Sequence, residues 1–128
     1  MAIERPDNPR CLIPEERLRN RVMELAKEIE EHYQGKEPLV AICVLKGSFV
    51  FFSDLIRAID LPMSCDFLGV TSYSSRPKQS GEVKVTLDLS NSVAGKHVLL
   101  VEDVIDSGTT LQFMMQSLEA RKPASLKV

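Results

Sequence analysis

Between residues 15 and 31, Leu18, Val22, Leu25 and Ile29 recur every three or four positions among charged neighbours. That is the period of a surface helix with one apolar face, and Pro14 stands where such a helix starts. The run PLVAICVL, 38 to 45, is short, apolar throughout and partly β-branched. It reads as a strand covered on both faces, broken at Lys46 and Gly47. Ser48 then takes the N-cap position of a second helix, whose Phe52, Leu55, Ile56 and Ile59 form one stripe before Pro62 prevents continuation.

A second strand is predicted from about Met63 toward Val70. The polar stretch TSYSSRPKQSG, 71 to 81, contains Pro77 and Gly81 and reads as an exposed, mobile loop. After it, Val83, Val85, Leu87 and Leu89 alternate with Glu82, Lys84, Thr86 and Asp88, the period of a half-buried strand. The two segments together predict an antiparallel ribbon with a long tip. HVLLV, 97 to 101, follows a turn at 94 to 96 and reads as another central strand. A helix over roughly 109 to 121 presents Leu111, Met114, Met115 and Leu118 to the core, and ASLKV begins a further strand. Strands alternating with helices predict an α/β fold: a doubly wound, mostly parallel sheet flanked by helices, with ligands bound beyond the carboxyl ends of its strands.

The length of 128 residues suits one domain with a single core, 1–128. No repeat or linker divides it. The 16 basic and 18 acidic residues leave a net charge of −2, which offers no polybasic footprint for nucleic acid or anionic membrane. Cys11, Cys43 and Cys65 are far apart and lack C-x-x-C spacing, so they read as reduced thiols of a cytoplasmic protein. His32 and His97 are isolated from them, which disfavours zinc. The N-terminus has no signal-peptide pattern and no apolar run approaches a membrane span, so a soluble cytosolic chain is expected.

The chemistry concentrates in VLLVEDVIDSGTT, 98 to 110, where an apolar strand runs into Glu102, Asp103 and Asp106 and then into a hydroxyl- and glycine-rich turn. At a strand-to-helix turn the first amides of the helix lack partners and point at one volume, which with the helix dipole makes a phosphate cradle. Ser107, Thr109 and Thr110 add hydroxyl donors, and Gly108 lets the backbone approach closely. The plain alternative is that these are ordinary capping residues. Glu102 and Asp103 stand where a ribose attached to a 5′-phosphate would extend, and such carboxylates accept from vicinal hydroxyls. They also suit magnesium, which takes one or two carboxylates and fills its shell with water and substrate oxygens. A solvated strand end is the competing reading. Asp106, between these acids and the turn, could exchange a proton with a ring nitrogen of a heterocyclic base, or simply cap the turn.

VLLVEDVIDSGTT resembles the diphosphoribosyl-binding signature of the purine phosphoribosyltransferases, and specifically the hypoxanthine-guanine phosphoribosyltransferase family. Asp106 favours the 6-oxopurine branch, since adenine and orotate relatives usually carry a non-acidic residue there. VLKGSFVFFSDL resembles the family's pyrophosphate loop and following helix, and DFLGVTSYSS…SGEVKV its mobile loop and flanking strands, so the likeness runs from about Leu39 to Val128.

The resemblance implies the type I phosphoribosyltransferase fold and transfer of a 5-phosphoribosyl group from phosphoribosyl diphosphate to N9 of hypoxanthine or guanine, giving IMP or GMP and pyrophosphate in purine salvage. It implies that Glu102 and Asp103 hold the ribose hydroxyls with Mg2+ associated, that Asp106 is the general acid/base at the purine N7, and that Asp106, Ser107, Gly108, Thr109 and Thr110 surround the 5′-phosphate. Lys46 and Gly47 would bind pyrophosphate, next to a cis peptide between Leu45 and Lys46. Ser72 and Tyr73 match a lid that closes over the reaction centre and excludes water.

Family members continue past the position matching Val128, with a lysine that reads the 6-oxo group, an aromatic residue that stacks on the base, and an aspartate and an arginine near metal and pyrophosphate. The 128 residues are therefore expected to lack the family's C-terminal part, and the phosphoribosyl half of the site is the half they carry. A homo-oligomer, dimer or tetramer, is expected. The competing class is a truncated, non-catalytic nucleotide-binding or regulatory relative. No GxxxxGK[ST] segment supports a P-loop kinase.

Overall fold

A computed structural model describes residues 10–73 and 82–128, with Ser72, Tyr73 and Glu82 through their backbone alone. Helix α1 (Glu15–Tyr33) leads into β1 (Leu39–Leu45), α2 (Phe49–Ala58), β2 (Met63–Tyr73), β3 (Glu82–Leu87), β4 (His97–Val101), α3 (Thr109–Glu119) and β5 (Ser125–Lys127). The strands form a five-stranded sheet in the order β3-β2-β1-β4-β5. β1 runs parallel to both β2 and β4, and β4 parallel to β5, while β2 and β3 form the expected antiparallel ribbon.

The covering of β1 on both faces follows from its unbroken apolar sequence. Leu39, Ala41 and Cys43 pack with Ala26, Tyr33, Phe52 and Leu55 of α1 and α2. Val40, Ile42 and Val44 pack on the opposite face with Met114 and Leu118 of α3 and with Val98 and Leu100 of β4. The single core expected from length is thus two apolar layers separated by the sheet. Ile42, Val98, Leu100, Met114 and Leu118 are at most 1% exposed, and each such side chain contributes roughly 1.5–3 kcal/mol by leaving water. Leu111 and Met115, expected in the core, are only partly buried against the α3 layer.

Several boundaries differ from the sequence reading: α2 stops at Ala58, leaving Ile59 as an extended C-cap, and β3 stops at Leu87, short of Leu89. α1 continues through Tyr33, whose ring extends the apolar stripe one turn beyond Ile29. α3 ends at Glu119, two residues early. β2 reaches Tyr73, so Thr71, Ser72 and Tyr73 are strand where a loop was predicted: β3 supplies ladder partners, with Ser72 opposite Val83 and Tyr73 opposite Glu82. The rest of that predicted loop, 74 to 81, and the side chains of Ser72 and Tyr73 lie outside what is described.

The β3–β4 connection is fastened by a buried acid that the sequence reading passed over. Asp66, on β2 and 5% exposed, accepts hydrogen bonds from the amides of Phe67 at 2.8 Å, Ser90 at 3.0 Å and Asn91 at 3.2 Å. Three amide donors make a buried carboxylate tolerable where an unpaired one would not be.

Candidate functional site

The parallel register sets the carboxyl ends of β1 and β4 side by side, with Cys43 opposite Val101. The chain leaves these neighbouring strands toward opposite edges of the sheet, β1 leading to β2 and β4 to β5. That divergence is the switch point at which open α/β sheets form a crevice. Both segments singled out from the sequence, 45 to 48 and 102 to 110, leave the sheet there.

After β1, the Leu45–Lys46 peptide is cis, and Lys46 and Gly47 are exposed. A Cβ built on Gly47 would lie 2.5 Å from Asp103 Oδ2. The absent side chain is therefore what lets an acid from β4's loop rest against the backbone of β1's loop. After β4, the chain runs irregularly from Glu102 to Gly108. Gly108 has φ 83°, the left-handed region, and precedes the first residue of α3. Nothing lies within 4 Å of a Cβ built there. The glycine suits this left-handed backbone angle, and no protein atom crowds the side from which a ligand would approach.

Glu102, Asp106, Ser107, Gly108, Thr109 and Thr110 line one cleft of about 380 Å³, with Val83 of β3, Val104, Ile105 and Leu111. Among the described residues, the hydrogen bond that reaches an amide of this turn from within it runs from Thr109 N to Ser107 Oγ at 3.4 Å. Ser107 Oγ also donates to Thr109 Oγ1 at 3.1 Å. The cleft floor thus presents amides and hydroxyls at the positive end of α3, which suits an anion. Asp103 and Lys46 are outside this lining and join it through the Gly47–Asp103 contact. The structure brings Glu102, Asp106 and the turn together in one cleft, with Asp103 and the Lys46–Gly47 loop beside each other outside its lining.

Each of the two adjacent acids has an oxygen tied to the backbone: Glu102 Oε1 accepts from Asp103 N at 3.0 Å and Asp103 Oδ1 from Val104 N at 2.9 Å. No set of three His, Cys, Asp or Glu side chains converges as a metal cage among the described residues. Two neighbouring carboxylates nevertheless fit a hard ion that fills the rest of its shell with water and ligand oxygens.

Burial, and next the Asp103 carboxyl beside it, hold the Glu102 carboxyl above its ordinary value, against a smaller opposing effect of the Asp103 amide. A raised folded-state value contributes stability below the ordinary value of 4.5, and that contribution is lost as pH rises through the raised one. Glu102→Gln, which never ionises, is therefore expected to melt higher than the natural chain at pH 7. The gap should close as pH falls below the carboxylate range. Thermal melts across pH check this, and a gap independent of pH contradicts it.

Two features escaped the sequence reading. Val104 and Ile105, between the acids, are 71% and 56% exposed and give the cleft an apolar wall. Their signal was available, since apolar residues inside an acidic loop have no reason to be buried. Ser48 was expected as a cap; it holds the N-cap position of α2 but makes no side-chain cap bond. Its hydroxyl donates instead to the carbonyl of Val44 and lies 3.4 Å from that of Val101.

Residues 14–128 match the phosphoribosyl transferase domain family. The chain is 42% identical over 118 residues to the hypoxanthine-guanine phosphoribosyltransferase of Dictyostelium discoideum, covering 90% of this chain and 66% of that protein. It is 42% identical over 122 residues to that of Staphylococcus aureus strain Mu50, covering 95% and 68%. A crystal structure of a hypoxanthine-guanine phosphoribosyltransferase from Bacillus anthracis, with a HEPES molecule in its active site, superposes with a TM-score of 0.85 at 44% identity, over 93% of this chain and 69% of that one. The chain spans about two thirds of the length of these relatives.

Proposed function

Since the chain belongs to the phosphoribosyl transferase domain family, on its hypoxanthine-guanine branch, we propose that it acts in purine salvage. The reaction transfers a 5-phosphoribosyl group from phosphoribosyl diphosphate to N9 of hypoxanthine or guanine, yielding IMP or GMP and pyrophosphate. The observation that carries this reading is the single cleft in which Glu102 and Asp106 meet the 107–110 turn.

In this mechanism the 107–110 amides and hydroxyls hold the 5′-phosphate, and Glu102 and Asp103 accept from the ribose hydroxyls. The anomeric carbon is thereby fixed between the acids and the Lys46–Gly47 loop. Lys46 neutralises the pyrophosphate as its C–O bond breaks and it leaves with the bonding pair. N9 forms the new bond, and the proton on N7 of the base passes to Asp106. Glu102 and Asp103 would also hold Mg2+, which when bound supplies charge neutralisation for the diphosphate. Val104 and Ile105 offer an apolar wall against which a base can rest. Ser72 and Tyr73 would close over the reaction centre, a role supported by the pairing of Ser72 with Val83, which lines the cleft.

The proposal extends to a homo-oligomer, dimer or tetramer, supported by Phe49 and Val50, 58% and 57% exposed on α2. It extends also to the cytoplasm, supported by three free cysteines. No helix among the described residues is long and apolar enough to cross a membrane.

Nucleotide formation assayed with hypoxanthine, guanine, adenine and orotate tests the reading. Product is expected with the 6-oxopurines alone. Magnesium-dependent nucleotide binding without product from any base assigns a binding relative instead.

A further inference from the structure

We infer that Ser48 is a positioning residue, whose buried hydroxyl sets the loop after β1 against the loop after β4 in the arrangement that a ligand spanning both requires. The inference rests on the phosphoribosyl reading above and adds to it a residue that touches no substrate. Ser48 is fully buried, although it lies between exposed Gly47 and exposed Phe49. A serine at a helix N-cap ordinarily turns its oxygen to the helix's own amides. Here the hydroxyl faces the sheet, donating to the carbonyl of Val44, with the carbonyl of Val101 at 3.4 Å and Cys43 Sγ at 3.7 Å.

Each partner is placed to matter. The bond to Val44 closes the segment containing Lys46 and Gly47 on itself. Val101 is the last residue of β4 and directly precedes Glu102 and Asp103. Beyond these anchor points the two loops meet again, where Asp103 Oδ2 occupies the space a Gly47 Cβ would need. One buried hydroxyl at the base of the crevice thus registers the predicted pyrophosphate loop against the predicted ribose and metal acids. Ribose 5-phosphate calls on the β4 loop alone. Pyrophosphate with magnesium calls on both loops, so it senses their relative placement.

Ser48→Ala removes the hydroxyl, and Ser48→Cys, kept reduced, retains the volume with a much weaker donor. In calorimetric titrations of the 128-residue chain, both variants are expected to bind magnesium pyrophosphate about 10-fold more weakly, the scale of one net hydrogen bond. Both should bind ribose 5-phosphate within about twofold of the natural chain. Equal loss of both ligands marks a general loosening and overturns the positioning role. Full pyrophosphate affinity in Ser48→Cys also overturns it, because volume and not the hydroxyl is then what counts, as does unchanged binding in both variants. If the natural chain binds neither ligand, the phosphoribosyl reading falls and takes this inference with it. Normal binding by the natural chain with unaltered variants removes the inference alone.

Discussion

Replacing Asp106 by asparagine is expected to slow nucleotide formation by about 10²- to 10⁴-fold, the usual worth of a positioned general acid or base. The affinity for phosphoribosyl diphosphate should change by no more than a few fold. The asymmetry follows from where the side chain stands. Asp106 is exposed in the cleft, between the acids that would hold the sugar and the amides that would hold its phosphate, and it takes part in neither hold through its carboxylate. Asparagine preserves the shape and the backbone, so the turn and the α3 amides remain. What it cannot do is take a proton from a ring nitrogen. A steady-state comparison that lowers kcat and leaves the donor KM near its natural value agrees with this. Turnover unchanged in Asp106→Asn removes the acid/base role, and loss of donor affinity with kcat intact makes Asp106 a binding residue.

Gly47→Ala is expected to have the second largest effect, weakening magnesium pyrophosphate binding on the order of 10- to 100-fold, the equivalent of one charge-assisted hydrogen bond. The new methyl would sit 2.5 Å from Asp103 Oδ2, so one group must move. Asp103 is the end of an exposed side chain and yields more easily than two strand ends. Its carboxylate would swing away from the Lys46–Gly47 loop, taking with it half of the acid pair that suits a magnesium ion. The folded state loses little by this, and the melting temperature should shift by only a few degrees. A large drop in stability would mean that the backbone, not Asp103, gives way. Unaltered pyrophosphate affinity would mean that the Gly47–Asp103 approach plays no part in binding.

Much of this architecture can be read locally. PLVAICVL and HVLLV are continuous apolar runs, and each became a central strand because a residue buried on both faces has no alternation to show. The 107–110 turn was legible for a related reason: a strand, three acids and DSGTT follow one another in sequence, so the elements that build the cleft are also neighbours in the chain. Even so, Gly108 serves a left-handed backbone angle, which sequence cannot separate from a need for space. The misread segments depend on distant partners. Thr71 to Tyr73 look like loop until β3 lies beside them, and Ser48 looks like a cap until Val101, 53 residues on, comes within reach. Asp66 in MSCDFLG reads as an oddity until the Ser90 and Asn91 amides arrive. The reason for Gly47 is an acid 56 positions later in the sequence. Local patterns thus name the elements and most of the reactive groups, while their registration against each other comes from pairs that only the folded sheet creates.

If one crevice grips a sugar phosphate by backbone amides and its hydroxyls by neighbouring acids, titrating the chain with phosphoribosyl diphosphate, once with magnesium and once with a chelator, will reveal it. Saturable binding of one donor per chain is expected, weakening sharply when the metal is removed and when Asp103 is replaced by asparagine. Absence of binding, or binding indifferent to both the metal and Asp103, would contradict it.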